Sequence, residues 1–148
     1  MNRLQEFVAK FCSYEKISYP VEKRGRRYYS VSPELLEVEK SIDKGSYSSG
    51  LFLGEEGKFF TPSVVLLDWI APHTTQKVWV DEKVGWLFVC GKDVFWDSVI
   101  RKKADDSIVL VMSEKDEVLG VGQITRKKGK KIVLNTFDRG SFLRRERN

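Results

Sequence analysis

Apolar residues in the first third of the chain recur at spacings that predict helices and strands in turn. Leucine, valine and phenylalanine lie three or four positions apart within residues 2–16, which is typical of an amphipathic helix. Two short strands are expected next, at residues 17–21 and 26–31, with a turn near Gly25 between them. A Ser-Pro pair at the start of residues 32–42 predicts a further helix, because serine caps a helix and proline fits its first turn.

A second helix-rich stretch follows a loop rich in glycine and serine at residues 44–50 and a strand at residues 51–53. A Thr-Pro pair at residues 61–62 predicts the start of a helix that ends at residues 71–72. Most side chains in this helix are apolar, so we expect it to be buried. Asp68 lies inside the run, and a buried carboxylate requires a partner. We therefore expect Asp68 to form a hydrogen bond or ion pair near a domain interface.

The pattern changes after residue 72 to short apolar runs at close spacing. These runs predict strands at residues 77–80, 86–90, 108–112, 118–125, 131–134 and 141–144. Residues 93–102 are instead expected to form a helix. Several short strands, one helix and glycine-containing turns are typical of a small closed or nearly closed β-barrel. The chain is therefore predicted to be α+β, with an α/β domain over residues 1–74 packed on a mostly β domain over residues 75–148.

Composition agrees with a folded protein of one or two small domains. The chain has 148 residues, of which 41% are hydrophobic and 12% are aromatic. No apolar run reaches the roughly 18–20 residues that span a bilayer, and the N-terminus lacks the pattern of a signal peptide. Cys12 and Cys90 do not have the spacing of a disulfide framework or a zinc site. A reduced, cytoplasmic monomer without membrane contact is the expectation.

The positive charge is concentrated near the C-terminus. The net charge of the whole chain is +5, whereas residues 121–148 carry nine basic and two acidic side chains, a net charge of +7. Such asymmetry favours a polyanionic partner, and nucleic acid is the commonest one. A basic surface selected for solubility or thermal stability is the alternative. The candidate RNA-binding residues are Arg126, Lys127, Lys128, Lys130, Lys131, Arg139, Arg144, Arg145 and Arg147.

The stretch from Val118 to Lys131 combines two features. Gly120 and Gly122 interrupt an apolar strand, which suits a bend or a close approach of neighbouring backbone. Five cations then surround Gly129, a natural turn residue. Phe137 and Phe142, close to the basic tail, and Trp86 and Trp96, elsewhere in the barrel, could stack on bases, but core packing is the expected role of each.

Residues suited to catalysis or metal binding are few. His73 is the sole histidine, so neither a metal site nor a histidine-paired nucleophile is apparent from local motifs. Gly120 and Gly122 lack the third glycine and the following helix of a dinucleotide site. We therefore predict a protein that is not an enzyme and that uses no cofactor or metal.

Seven segments, in order along the chain, resemble a known family. They are YYSVS (28–32), SGLFLG (49–54), LDWIAP (67–72), KVWV (77–80), FVCGKDV (88–94), VLGVG (118–122) and DRGSFLRRE (138–146). Residues 77–146 resemble a PUA domain, the pseudobarrel RNA-binding module of RNA-modifying enzymes and ribosome-assembly factors. The chain as a whole resembles the Nip-seven family of large-ribosomal-subunit biogenesis factors, found in archaea and eukaryotes.

This resemblance implies an N-terminal α/β domain packed on a C-terminal PUA pseudobarrel. It also implies a non-catalytic role in pre-rRNA processing, with single-stranded pre-rRNA held by the PUA domain and other assembly proteins bound by the N-terminal domain. The location would then be cytoplasmic in an archaeon and nucleolar in a eukaryote. Two alternatives stay open: an RNA-modifying enzyme whose PUA domain delivers substrate, and a protein-interaction module whose basic face meets an acidic protein.

Overall fold

The computed structural model describes residues 2–17, 20–31, 50–103 and 107–140. Within these ranges the α-helices are α1 (Arg3–Ala9), α2 (Val64–Ile70) and α3 (Glu82–Val89). The strands are β1 (Val21–Arg24), β2 (Arg27–Ser30), β3 (Leu51–Glu55), β4 (Thr61–Pro62), β5 (Lys77–Val80), β6 (Val94–Phe95), β7 (Val99–Lys102), β8 (Ile108–Met112), β9 (Val118–Lys127) and β10 (Lys130–Asp138). Helices and a mixed sheet confirm the predicted α+β class.

Helix α1 is shorter than the predicted helix over residues 2–16. Its start is a capping box, in which the Asn2 side chain accepts from the Gln5 N–H and the Gln5 side chain accepts from the Asn2 N–H. Leu4 and Val8 are fully buried, as the apolar spacing requires. The helix ends at Ala9, and a separate 3-10 turn covers Tyr14–Lys16.

Strands β1 to β4 form an antiparallel sheet in that order. The predicted turn at Gly25 is confirmed by its positive φ of 62°, which glycine adopts without strain. Strand β1 begins at Val21, where the predicted strand ends. On the inner face, the buried Tyr28 hydroxyl donates to Glu56 at 2.8 Å, and Glu56 pairs with Lys23 at 2.7 Å.

Helix α2 begins later than the Thr-Pro pair predicts. Residues 61–62 form β4 instead, and Ser63 caps the helix by accepting from the Leu66 N–H at 3.2 Å. Leu66, Leu67 and Ile70 are fully buried, but the Asp68 carboxylate on the opposite side is exposed. The expected burial of Asp68 is therefore wrong.

The six-stranded sheet has the order β6-β10-β9-β8-β5-β7, with β5 and β8 parallel and the other neighbours antiparallel. A single 3-10 turn, Trp96–Ser98, connects edge strand β6 directly to edge strand β7. Because both edges of the sheet meet at this turn, the sheet is curled into a nearly closed barrel. This is the architecture that the short apolar runs predict.

Residues 86–90 do not form the predicted strand but belong to α3 and its C-cap. The Asp81 side chain accepts from the Val84 N–H at 2.8 Å and caps the start of the helix. Helix α3 buries Gly85 and Phe88 and exposes Trp86 and Leu87. The run of apolar residues therefore reflects one buried helical face plus exposed apolar side chains, a combination that periodicity alone does not separate from a strand.

Residues 93–102 do not form the predicted helix. They supply β6, the 3-10 turn and β7. The Asp93 carboxylate accepts from the Asn135 N–H at 2.8 Å, so a side chain suited to cap a helix instead anchors β6 to β10. Buried Val94 pairs with Val133 in that register. Tertiary pairing overrides the local helical spacing here.

Two apolar clusters make up the core. One fills the barrel interior and contains Val78, Val80, Phe88, Val94, Val109, Val111 and Val133. The other joins the outer face of the barrel to the N-terminal elements and contains, among others, Leu4, Phe7, Val8, Tyr28, Leu53, Leu66, Trp79, Leu110, Met112 and Val121. The helix predicted over residues 32–42, most of the loop at 44–50 and the strand at 141–144 lie outside the described residues.

Candidate nucleic-acid interface

The basic turn is the tip of a hairpin formed by β9 and β10. Lys127 pairs with Lys130, and the two intervening residues, Lys128 and Gly129, have φ values of 53° and 79°. Positive φ at both central positions is the mark of the tight two-residue turn that suits the twist of an antiparallel hairpin. This turn brings all five cations between residues 126 and 131 together.

Like charges face each other across this hairpin. Lys127 lies opposite Lys130, and Arg126 lies opposite Lys131. Side chains alternate along a strand, so each pair shares one face of the sheet. Arg126 and Lys131 lie on the face of buried Val133, at the mouth of the barrel, whereas Lys127 and Lys130 lie on the outer face.

Trp96 connects this hairpin to a cation outside the predicted set. The Lys131 Nζ lies 3.9 Å from the centre of the Trp96 ring, and the Lys102 Nζ of β7 lies 5.1 Å from it. Both distances suit cation–π attraction. Lys103 follows Lys102 and donates its N–H to the Lys77 carbonyl. The run Arg101-Lys102-Lys103 is visible in the sequence as a group of cations. Its proximity to the hairpin is not, because barrel closure is what brings Lys102 to Trp96.

We call this group of cations the basic end. It consists of Lys102, Arg126, Lys127, Lys128, Lys130 and Lys131. Among the residues that the structure describes, no carboxylate forms an ion pair with any of them. The basic end therefore presents positive charge that the described part of the chain does not neutralise.

Lys77 of β5 lies beside β7, and its pKa is lowered. Burial is the main cause that lowers the pKa of Lys77, and the nearby charges of Lys103 and Arg101 lower it further. The Asp116 carboxylate raises the pKa of Lys77 and so opposes them. Arg101 itself stacks on the Trp79 ring at 3.9 Å and pairs with Asp116 at 3.5 Å, so we leave it out of the basic end.

Arg139 lies far from the basic end. It follows the last residue of β10, so at the usual rise per residue of a strand it lies up to roughly 30 Å from Lys130. Its guanidinium donates to the Asp68 carboxylate at 2.8 Å and to the Val118 carbonyl. The predicted ion pair of Asp68 therefore exists, and it links α2 to β10. The other predicted cations, Arg144, Arg145 and Arg147, lie outside the described residues.

The aromatic side chains divide into buried and exposed groups. Phe137 packs against the shared core and Trp96 against the barrel interior, as expected. Core packing is the wrong prediction for Trp86, which is 68% exposed on α3. Phe95, which is not among the predicted aromatic candidates, is 62% exposed on β6. Phe142 lies outside the described residues.

The part of the chain that the structure describes contains neither a cluster of metal-binding side chains nor a helix suited to span a membrane. No group of three or more histidine, cysteine, aspartate or glutamate side chains there is placed to hold a metal ion. Nor does any helix in those ranges have the length and apolar character needed to cross a bilayer.

Comparison with known proteins places the C-terminal half in a described family. The UPF0113 PUA domain family matches residues 76–147. A UPF0113 protein of Archaeoglobus fulgidus is 32% identical over 136 residues, which cover 85% of this chain and 77% of that protein.

One solved structure shows the same fold at low sequence identity, and a second matches a similar share of the chain. A hypothetical protein from Pyrococcus horikoshii is 16% identical with a TM-score of 0.51, and the match covers 93% of this chain and 92% of that one. A conserved PUA domain protein from Thermoplasma acidophilum is 19% identical with a TM-score of 0.47, covering 92% of each chain. The predicted C-terminal PUA-type pseudobarrel is confirmed.

Proposed function

Since this chain belongs to the UPF0113 family and carries that family's PUA domain, we propose that it is a non-catalytic RNA-binding factor of ribosome biogenesis. PUA domains generally bind RNA. In this proposal the basic end holds RNA phosphates. The cations of the basic end are grouped without carboxylate partners among the described residues.

The observation that carries the proposal is the pairing of like charges in the hairpin. Cations directly opposite each other on a sheet destabilise it, and here this happens at two successive positions, Lys127 with Lys130 and Arg126 with Lys131. A glutamate in place of one cation of a pair would remove the repulsion within that pair. Retaining cations at all of them is understandable if a polyanion neutralises them when it binds.

The finer assignment rests on the resemblance to the Nip-seven family. In that assignment the RNA is large-subunit pre-rRNA, and the N-terminal elements bind other assembly proteins. Crosslinking in cells, followed by sequencing of the bound RNA, tests it. We expect mainly large-subunit precursor RNA, and recovery of mainly messenger or transfer RNA would contradict it.

The basic end is tested by neutralising two of its lysines. Lys127→Gln with Lys130→Gln should weaken binding to single-stranded RNA and lower the slope of log affinity against log salt by about 1.4, roughly 0.7 for each lost phosphate contact. The matched control is Lys83→Gln with Lys115→Gln, which removes the same charge from two exposed lysines on α3 and the β8–β9 turn. We expect the control to keep the wild-type slope.

Equal losses in both double variants would show that only net charge matters, which contradicts a defined basic end. Tighter wild-type binding to polyglutamate than to RNA at matched salt would favour an acidic protein partner. The non-catalytic role is tested separately by incubating stoichiometric protein with RNA and measuring the mass of the recovered RNA. An unchanged mass is expected, and a modified or cleaved product would contradict it.

A further inference from the structure

The outer face of the barrel beside the hairpin carries two neighbouring rows of side chains. One row is the cationic pair Lys127 and Lys130. The next row lies two residues further from the turn on β9 and β10 and runs from Thr125 through Ile132 to Phe95. Their shared face follows from the strand registers, since Phe95 pairs with Ile132 and Ile132 pairs with Thr125. Phe95 and Lys130 are therefore diagonal neighbours, roughly 7–8 Å apart.

Phe95 is held in a fixed position although its ring faces solvent. Its strand is hydrogen-bonded to β10, and the preceding residue, Val94, is buried in the barrel interior. Asp93 adds a further anchor through its bond to the Asn135 N–H. Even so, the Phe95 ring is 62% exposed. No ring or cation among the described residues is stacked on it.

Neighbouring Trp96 is unsuited to the same task. Its ring already carries Lys131 at 3.9 Å and Lys102 at 5.1 Å, so a base would have to displace an ammonium group. Trp96 instead positions the two lysines at the closure of the barrel. Trp86 is as exposed as Phe95, but it lies on helix α3. No described cation stacks on its ring. Of Phe95, Trp96 and Trp86, Phe95 is the one that is exposed, held by strand pairing and next to the cations of the basic end.

We propose that Phe95 stacks on an unpaired base of an RNA strand whose phosphates lie on Lys127 and Lys130. This inference deepens the function proposed above and depends on it. An aromatic ring beside a cationic groove binds single strands because every base has a π face, whereas a duplex keeps its base faces stacked inside. The site would therefore select single-stranded or locally unpaired RNA and be tolerant of sequence.

The test compares binding of full-length variants to three probes at the same salt concentration. The probes are a short unstructured RNA, the same strand with abasic positions, and a blunt RNA duplex. Phe95→Ala should weaken binding to the intact single strand about tenfold, because stacking on one base is lost. Binding to the abasic strand and the duplex should stay within about twofold, and the salt slope should not change, because the phosphate contacts remain.

Three further variants separate base stacking from a general loss of apolar surface. Phe95→Leu keeps apolar area but loses the π face, so it should behave like Phe95→Ala. Phe95→Trp should retain or improve binding to the intact strand. Trp86→Ala is the matched control, because it removes an equally exposed ring, and it should bind all probes as the wild type does. Melting temperatures of all variants confirm that each is folded.

Different results would contradict the stacking role of Phe95 and the proposed RNA-binding function. Wild-type affinity of Phe95→Ala for the intact strand, or wild-type affinity of Phe95→Leu for it, would rule out stacking while leaving RNA binding intact. A greater loss of affinity for the intact strand in Trp86→Ala than in Phe95→Ala would show that the stacking ring is Trp86 on α3. Failure of the wild type to bind any RNA would overturn the proposed function and this inference together.

Discussion

At the scale of single residues, two glycines determine how closely β9 and β10 approach. A Cβ at Gly120 would overlap the Phe137 carbonyl and lie 2.7 Å from the Asp138 Cα. A Cβ at Gly122 would overlap the Val133 side chain and lie 3.2 Å from the Val111 Cγ2. A register shift between Asn135 and Phe137 brings the β10 backbone to this position. The glycines shape the barrel, and the basic tip depends on that shape.

Gly120→Ala should destabilise the protein by about 2–3 kcal/mol, because the added methyl group meets backbone that cannot rotate away. The corresponding fall in melting temperature is roughly 5–10 °C for a chain of this size. Thermal unfolding followed by circular dichroism measures it. Gly57→Ala is the control, since a Cβ there lies 3.7 Å from its nearest neighbour, an ordinary contact. Equal melting temperatures for the two variants would contradict the steric argument.

Among the secondary-structure elements, the β9–β10 hairpin carries like-charge pairs that lower the stability of the fold and favour binding of RNA. Lys127→Glu places a carboxylate opposite Lys130 and so replaces a repulsive cross-strand pair by an attractive one. We expect the variant to be more stable by about 0.5–1 kcal/mol and to bind RNA more weakly. Thermal unfolding and RNA affinity, measured in the same buffer, give the two values.

Lys127→Gln is the graded control for this substitution, because it removes the repulsion without adding an attraction. Its gain in stability should be about half as large. Both gains should shrink as salt is added, since the charges are exposed and therefore screened. A stability that falls in Lys127→Glu would show that the like-charge pairing is not a cost to the fold.

Local pattern predicts some elements well and others wrongly, for identifiable reasons. Strand β8 and the β9–β10 hairpin agree with prediction because short apolar runs and the turn at Gly129 point to the same structure. Residues 86–90 and 93–102 adopt the opposite of the predicted structure. In the first, Trp86 and Leu87 are apolar but exposed; in the second, Asp93 anchors a strand instead of capping a helix. Neither outcome is encoded in spacing.

At the scale of the whole molecule, one core is shared by the two halves of the chain. Leu4 and Val8 of α1 belong to the same buried cluster as Leu110 and Val121 of the barrel. Arg139 adds an ion pair to Asp68 across the same junction, although an exposed pair contributes at most about 1 kcal/mol. The predicted domain limits at residues 74 and 75 stay a prediction. Because the two halves bury side chains in one cluster, unfolding of one half should expose apolar surface of the other.

Thermal unfolding of the full chain should therefore be a single cooperative transition, with calorimetric and van't Hoff enthalpies that agree. Leu4→Ala should lower the one midpoint by roughly 5–15 °C, because it opens a cavity in the shared core. Differential scanning calorimetry checks both expectations. An early separate transition in Leu4→Ala, with the barrel melting at its usual temperature, would show that the two halves unfold independently.

The amino-acid pattern is enough to predict the α+β class, the barrel-like character of the second half and the cluster of cations around Gly129, because hydrophobic periodicity, turn chemistry and charge are local properties. Which cations lie close together depends instead on how distant strands pair. Barrel closure at Trp96 brings Lys102 to the hairpin, whereas the length of β10 carries Arg139 to the far end, where it pairs with Asp68. Tertiary structure also decided that Phe95 is exposed beside Lys130, because that position depends on the register between β6 and β10.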